Sequence, residues 1–418
     1  MQGKRHTSIE KIYNKPCPCC GSKPTASTKT NTKIQEQAML VAKQIWEGTF
    51  AGSIDMELTN LVAMYLIQAV EQGLNDYKPQ YSTTAPELVA NLERNVYQFA
   101  SAKNYQMMRA MTNALYSSNT LREWSEFKTV ASQINEQYNQ LWLQTEYNAA
   151  IASAQMAARW HDAPQDCLLQ YRTAGDNRVR DSHARLQGVT LPKKDSFWNT
   201  HYPPNGWGCR CLTVEANEKT PVTPKQSIPT VPIDTLWKTN TAKGQLIFPA
   251  NHPYYIGVPK EILHETFIWK RTQEYEGYGD DYEKISFNAQ NGGFFVSHKK
   301  HNYDKRGGII EKLIANILKD KGYKVVALDE SKKDETSIDF KINDILWEIK
   351  SSNKKSLRSI KSQLETAKNK NIKDLNLIIY LNSDMTIDEA ESLLKRLQPT
   401  RYNVSNIWLF KKDIDIML

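Results

Sequence analysis

The stretch IDFKINDILWEIK, residues 338–350, reads as a β-hairpin, and it decides the fold of the last part of the chain. Ile338, Phe340, Ile342, Ile345, Trp347 and Ile349 form one apolar face with period two. Taking Asn343-Asp344 as a two-residue loop pairs Ile342 with Ile345 and Phe340 with Trp347. Counting outward, Asp339 then stands opposite Glu348. Opposed residues have Cβ atoms roughly 4.5–5.5 Å apart, where like charges repel. A bound cation or a shared proton would relieve that cost. Lys350, two residues beyond Glu348, shares its strand face.

Around the hairpin the pattern is compact α/β. A helix is expected from about Gly308 to Lys321, then the strand YKVVAL and the hairpin. A helix from about Ser356 to Lys370, the strand LNLIIYL, a helix from Thr386 to Leu397 and the strand NIWLFKK complete the order α-β-β-β-α-β-α-β. Lysine and arginine outnumber acids by 24 to 18 from Lys299 onward, so +6 of the chain's net +8 lies there. Such an excess suits a nucleic-acid partner or a solvated lysine-rich face.

That order, with Asp339 followed by Glu348-Ile349-Lys350, resembles the PD-(D/E)XK nuclease superfamily. Glu311, on the preceding helix, matches a position where the superfamily often adds an acid, while Ile338 replaces its usual proline. The resemblance implies Asp339, Glu348 and Lys350 as catalytic residues. It also implies a divalent Mg²⁺ or Mn²⁺ ion on Glu311, Asp339 and Glu348, which are hard oxygen ligands. Lys354, Lys355, Arg358 and Lys361 would meet phosphates, with Gln363 facing the site; the bland reading is a solvated lysine face. Residues 288–330 further resemble the start of the C-terminal toxin nucleases of contact-dependent growth inhibition effectors, several of which cut tRNA. His298 and His301 lie there, readable as an acid for the leaving oxygen or as exposed loop histidines.

Upstream, residues 32–160 repeat apolar positions at three and four and are almost free of Pro and Gly, which predicts helices. Thr83 or Thr84 is a candidate cap ahead of Pro86, and Ser117-Ser118-Asn119 marks a break. YRTAGDNRVRDSHARLQGVTLP and DSFWNTHYPPNGWGCRC follow, residues 171–192 and 195–211. Together they resemble the phage Mu protein F-like minor head proteins, through Asp176, Arg178, Arg180, His183, Leu186, Gly188, Phe197, Trp198, Pro203, Pro204, Asn205, Gly206, Trp207, Cys209, Arg210 and Cys211. With the helical region, the likeness covers about residues 32–215. It implies a virion component near the portal, with portal and head proteins as partners. Physically, Pro-Pro-Asn-Gly demands a tight turn packed by Phe197, Trp198 and Trp207. Asp176 with Arg178 and Arg180 suits an ion-pair set. His183, His201, Cys209 and Cys211 are candidate zinc ligands, set against a buried histidine and reduced cysteines in a turn-rich core. Cys17, Cys19 and Cys20 look like half of a zinc knuckle whose second pair is missing from the next hundred residues.

The expected fold is multidomain: a Cys-containing tail (1–31), a mostly α head-protein domain (32–218), a Pro/Thr-rich linker and irregular aromatic segment (219–294), and a PD-(D/E)XK-like α/β nuclease domain (295–418). The 418 residues allow two or three domains, and the cysteine clustering does not resemble a secreted disulfide framework. The sequence has no run of apolar residues long enough for a membrane span and no secretory signal. The expected location is the virion and the bacterial cytoplasm. Combined, the two resemblances imply a phage or prophage minor head protein with a C-terminal toxin nuclease, cutting tRNA and held in check by an immunity protein. A purely structural capsid protein with an inactive C-terminal domain, and a DNA endonuclease acting in packaging or host takeover, stand as alternatives.

Overall fold

The computed structural model describes residues 13, 31–79, 86–217, 219–305, 307–331, 338–368, 375–397, 399–411 and 414–417. The expectations for Cys17, Cys19, Cys20, Thr83 and Thr84 lie outside them. The chain divides into two compact units, residues 1–267 and 268–418.

The first unit is helical where periodicity predicted it: α1 (Asn31–Glu47), α2 (Met56–Tyr77), α3 (Pro86–Asn113) and α5 (Leu143–Asp162). Asp55 caps α2, its carboxylate accepting from the Leu58 amide at 2.7 Å. The break at 117–119 is a miniature hairpin, β1 (Tyr116–Ser117) and β2 (Thr120–Leu121), turned by Ser118 and Asn119 at positive φ. A helix not separated in the sequence reading, α4 (Trp124–Glu136), leads through a π-helical turn (Gln137–Trp142) into α5. Gly73 lets α2 approach α5; a Cβ there would lie 2.4 Å from the Ile151 carbonyl oxygen.

At the centre of this unit is a buried carboxylate. Glu146 of α5 accepts from Lys103 of α3 at 2.5 Å, from the Tyr13 hydroxyl at 2.8 Å and from the Tyr254 hydroxyl at 3.0 Å. Burial pulls the Lys103 ammonium below its ordinary pKa, partly countered by Glu146. Burial and Lys103 together push His252, 3.1 Å from the Tyr13 hydroxyl, down to about 3, so it is neutral.

Beyond α5 regular structure is sparse. β3 (Leu168–Arg172), β4 (Thr190–Pro192) and β5 (Leu212–Glu215) form an antiparallel sheet in the order β4-β3-β5, with two four-residue helices between, α6 (Asp181–Ala184) and α7 (Trp198–His201). The segment expected to be linker packs down instead. Trp237 and Leu236 cluster with Ala149, Phe248 stacks on Phe99 at 3.7 Å, and Asn95 Oδ1 accepts the Ile247 and Phe248 amides at 2.8 Å each. Its aromatics find partners far away in sequence, which local pattern does not reveal. The 219–294 expectation is therefore corrected: the division falls at 267/268, within α8 (Lys260–Glu276), and the sheet of the second unit begins before residue 295.

The second unit is an eight-stranded sheet in the order β13-β12-β11-β10-β9-β8-β7-β6. Its strands are β6 (Tyr282–Phe287), β7 (Phe294–His298), β8 (Lys324–Ala327), β9 (Phe340–Ile342), β10 (Ile345–Ser352), β11 (Leu375–Leu381), β12 (Val404–Lys411) and β13 (Ile414–Met417). The β7–β8, β10–β11 and β11–β12 pairs are parallel and the rest antiparallel. With α9 (Gly308–Asp320), α10 (Leu357–Lys368) and α11 (Ile387–Leu397), the expected order runs from α9 to β12. The β6–β7 hairpin and β13 extend the sheet at either edge. Ile360, Leu364, Ala390 and Leu394 of α10 and α11 pack against Leu377, Ile379 and Leu409. The hairpin register is the one read from the sequence, with Asn343 and Asp344 both at positive φ.

Replacing Lys103 by Met strands a buried carboxylate, and urea denaturation should show a loss of about 3–5 kcal/mol. Lys103→Met with Glu146→Leu should recover most of it. A single variant as stable as the parent would refute a stabilising Lys103–Glu146 pair.

Candidate functional site

The hairpin carries its two acids inward. Glu348 is fully buried and Asp339 is 4% exposed, although both lie opposite the apolar face that holds Trp347 and Phe340. An ammonium group stands beside each of them. The Lys350 ammonium donates to Glu348 Oε1. Asp339 Oδ2 accepts from the Ile349 amide at 2.7 Å, and Oδ1 accepts from the Lys305 ammonium at 3.0 Å. Burial raises the Asp339 pKa, but Lys350, Lys305 and the Ile349 amide outweigh it and hold the carboxyl below its ordinary value.

Lys305 is the hub. Besides Asp339 it meets Glu311 of α9 at 3.1 Å and also pairs with Glu330. Its loop is pressed onto α9 because Gly308 permits it; a Cβ there would collide with the Tyr303 carbonyl oxygen. Glu330 Oε2 also takes the Asn302 amide at 3.0 Å. The pKa of Lys305 is raised, its acidic partners overcoming burial. His301 is buried, not exposed as one reading had it: Nδ1 is 2.9 Å from the Leu328 carbonyl and Nε2 is 3.1 Å from Glu311 Oε2. Burial lowers its pKa, and the contacts with Glu311 and Leu328 more than restore it, to above its ordinary value. His298 is only half-buried and accepts the Lys300 amide at 3.2 Å.

Glu311, Glu330, Asp339 and Glu348 thus gather around the Lys305 and Lys350 ammonium groups, with His301 beside Glu311. Lys305 links Glu311 to Asp339, and Lys350 lies beside Glu348 and close enough to lower the Asp339 pKa. Lys305 and Glu330 were missed: one lies in a loop and the other just past β8, where no periodicity marks them. The expected divalent-ligand trio is corrected in one respect. Glu311, Asp339 and Glu348 do not gather as a three-ligand group among the described residues, because Lys305 reaches between Glu311 and Asp339. The donors fit a hard divalent cation in kind, being buried carboxylate oxygens.

The basic run divides. Lys355 pairs with Glu389 at 2.6 Å and Lys361 with Glu365 at 3.4 Å, whereas Lys354 and Arg358 are exposed. Gln363 is half-buried and donates back along α10 to the Ser359 carbonyl at 3.3 Å.

In the first unit, His183 Nδ1 lies 3.7 Å from Cys209 Sγ and 3.6 Å from Cys211 Sγ, all three side chains buried. His201 is not with them; it stacks on Phe197 and contacts the Thr200 hydroxyl at 2.8 Å. Asp176 takes a two-pronged bond from Arg210 (2.6 and 2.8 Å) and a weaker one from Arg178 (3.3 Å). Those bonds, the Arg210 one foremost, hold its carboxyl well below the usual range. Arg180, expected at Asp176, instead donates to the Trp207 carbonyl and lies against Gly206. Asn205 anchors the turn, accepting from the Tyr171 hydroxyl at 2.9 Å. Trp198 donates to the Pro192 carbonyl at 3.0 Å, and Trp207 meets Trp237 edge-on.

No helix among the described residues is long and apolar enough to cross a membrane. Residues 60–214 match the family model described as phage Mu protein F like protein. Over 73 residues the chain is 42% identical to the putative capsid assembly protein F of Escherichia phage Mu, covering 16% of this chain and 17% of that protein. Over 76 residues it is 36% identical to the Mu-like prophage FluMu F protein of Haemophilus influenzae, covering 18% of each. The chain thus spans less than a fifth of the length of these curated relatives. Among solved structures, the CdiA-CT/CdiI toxin and immunity complex from Burkholderia pseudomallei aligns at 18% identity with a TM-score of 0.24, covering 28% of this chain and 87% of that one. The first unit therefore contains a phage Mu F-like region, and it includes the Asp176, His183 and Cys209–Cys211 constellation.

Proposed function

We propose that the chain is a phage or prophage minor head protein whose second unit is a metal-dependent nuclease. The Mu F-like region supports the first half. The second half rests on one observation, two buried carboxylates of one hairpin, Asp339 and Glu348, with the Lys350 ammonium donating to Glu348. Buried acids perturbed by specific charge partners are the kind of group that active sites use.

Asp339, Glu348 and Glu311 would hold Mg²⁺ or Mn²⁺. Bound there, the ion would polarise a phosphate oxygen and acidify a water. Lys350 places an ammonium beside Glu348, where it can stabilise charge developing on a phosphate. The exposed Lys354 and Arg358 supply electrostatic attraction for a polyanion. The substrate we favour is tRNA, cut in a recipient cell, with an immunity protein as the partner that protects the producer.

One observation favours the structural alternative: Lys305 already bridges Glu311 and Asp339, as a purely architectural cluster would have it. The two readings separate in stability as well as activity. With chelator present, Lys305→Met should melt below the parent, and millimolar Mn²⁺ should raise its Tm more than the parent's. A Tm indifferent to Mn²⁺ in both proteins would favour an architectural cluster.

Full-length protein with Mg²⁺ should cleave tRNA, and chelator should stop it. Glu348→Ala and Lys350→Ala should each lower the rate on the order of 10²-fold or more. Preferential cleavage of duplex DNA would transfer the assignment to a packaging or takeover nuclease. If parent and Glu348→Ala leave both substrates intact and cells expressing either grow equally, the enzyme reading fails.

A further inference from the structure

We infer that His183, Cys209 and Cys211 form a zinc site in the Mu F-like region, with three protein ligands and water in the fourth position. Among the described residues this is the one place where three His, Cys, Asp or Glu ligand atoms lie within 4.8 Å of one another. The spacing is that of a coordination shell. With Zn–S near 2.3 Å and Zn–N near 2.0–2.1 Å, tetrahedral geometry sets sulfur and nitrogen roughly 3.5 Å apart. The observed separations are 3.6 and 3.7 Å. Both cysteines are free thiols.

The C-x-C spacing, shorter than the usual zinc pair, follows from the local chain. Residues two apart in an extended strand point the same way, and Cys209 and Cys211 lead directly into β5. Arg210 between them pairs with Asp176. Gly208, at φ +66°, makes the turn that delivers Cys209. Both sulfurs have further polar partners: the Asn205 amide at Cys209 and the Tyr171 hydroxyl at Cys211. Such contacts orient metal ligands in known sites.

The fourth position opens on a cavity of ≈ 10 Å³ lined by Ala174, Arg178, Val179, Arg180, Gly208 and Arg210. One water occupies about that much space. The lining offers three guanidinium groups and no carboxylate, so the fourth ligand is water or a small anion. His201 is excluded, being engaged with Phe197 and Thr200. The reason for a metal is architectural. Residues 163–217 hold three short strands and two four-residue helices, too little regular structure to specify a packed core unaided, and zinc would tie α6 to the approach to β5.

The test uses the full chain with Cys17→Ser, Cys19→Ser and Cys20→Ser, so that the N-terminal cysteines contribute nothing. Elemental analysis should find roughly one zinc per chain, as a single three-ligand site requires. Cys209→Ser with Cys211→Ser should abolish it, and His201→Ala should leave it unchanged. Replacing zinc by Co²⁺ in the Cys209 and Cys211 parent should give tetrahedral ligand-field bands with thiolate charge transfer, a readout that needs no folded variant. Absence of those bands overturns the site, as does zinc that disappears with Cys17, Cys19 and Cys20 alone.

Discussion

Glu146, buried in the first unit and served by Lys103, Tyr13 and Tyr254, sets the constraint on which that unit depends. An isolated carboxylate does not survive removal from water, so the helices that bring Lys103 and Glu146 together must form in one register or not at all. The same constraint acts in the second unit. There Asp339, Glu311 and Glu330 share Lys305, and Glu348 takes Lys350. In the first unit charge is balanced and saturated with hydroxyl donors, which is how architecture uses a buried ion. In the second, several acids share one lysine, so the placement of a single loop sets the ionic surroundings of them all.

The hairpin shows how local chemistry places those acids. Asn343 and Asp344 tolerate positive φ, and the turn they make fixes every pairing outward. Once Phe340 pairs with Trp347, no freedom remains in the placement of Asp339 and Glu348. The parallel partner β11 contributes Leu377 beside Glu348 and Ile379 beside Lys350, and α10 and α11 close over that face. The carboxylate is thereby desolvated, and it is tolerable there because Lys350 lies on the same strand.

Legibility in the sequence tracked the range of the interaction. Turn chemistry and period-two alternation gave the hairpin register, and three- and four-residue periodicity gave α1, α2, α3, α5, α9, α10 and α11, but not α8. Lys305 and Glu330 carry no such periodicity; Lys305 meets both Asp339 and Glu330 because Gly308 lets one loop press onto α9 and β8 ends nearby. The segment around Trp237, Phe248 and Tyr254 looked irregular because its partners, Phe99 and Glu146, are more than a hundred residues away. Residue type alone did not distinguish His183 from His201. One lies on a short helix facing two thiols and the other is stacked on a ring, a difference that only the packed turn creates.

The turn-rich motif between residues 171 and 211 is dense in specified residues for a physical reason. A helix satisfies its backbone by repetition, so many sequences will serve. A connection with few backbone ladders must satisfy each group separately. Here Asn205 receives Tyr171, Arg180 satisfies the Trp207 carbonyl, Trp198 the Pro192 carbonyl, and Asp176 holds Arg210. Gly206 has no side chain because the Arg180 guanidinium occupies that space. Each residue answers one requirement, and exchanging any of them leaves a donor or acceptor unpaired. A motif of this kind is legible as a resemblance long before it is legible as geometry, which is why the Mu F-like region stood out in the sequence while the contacts that explain it did not.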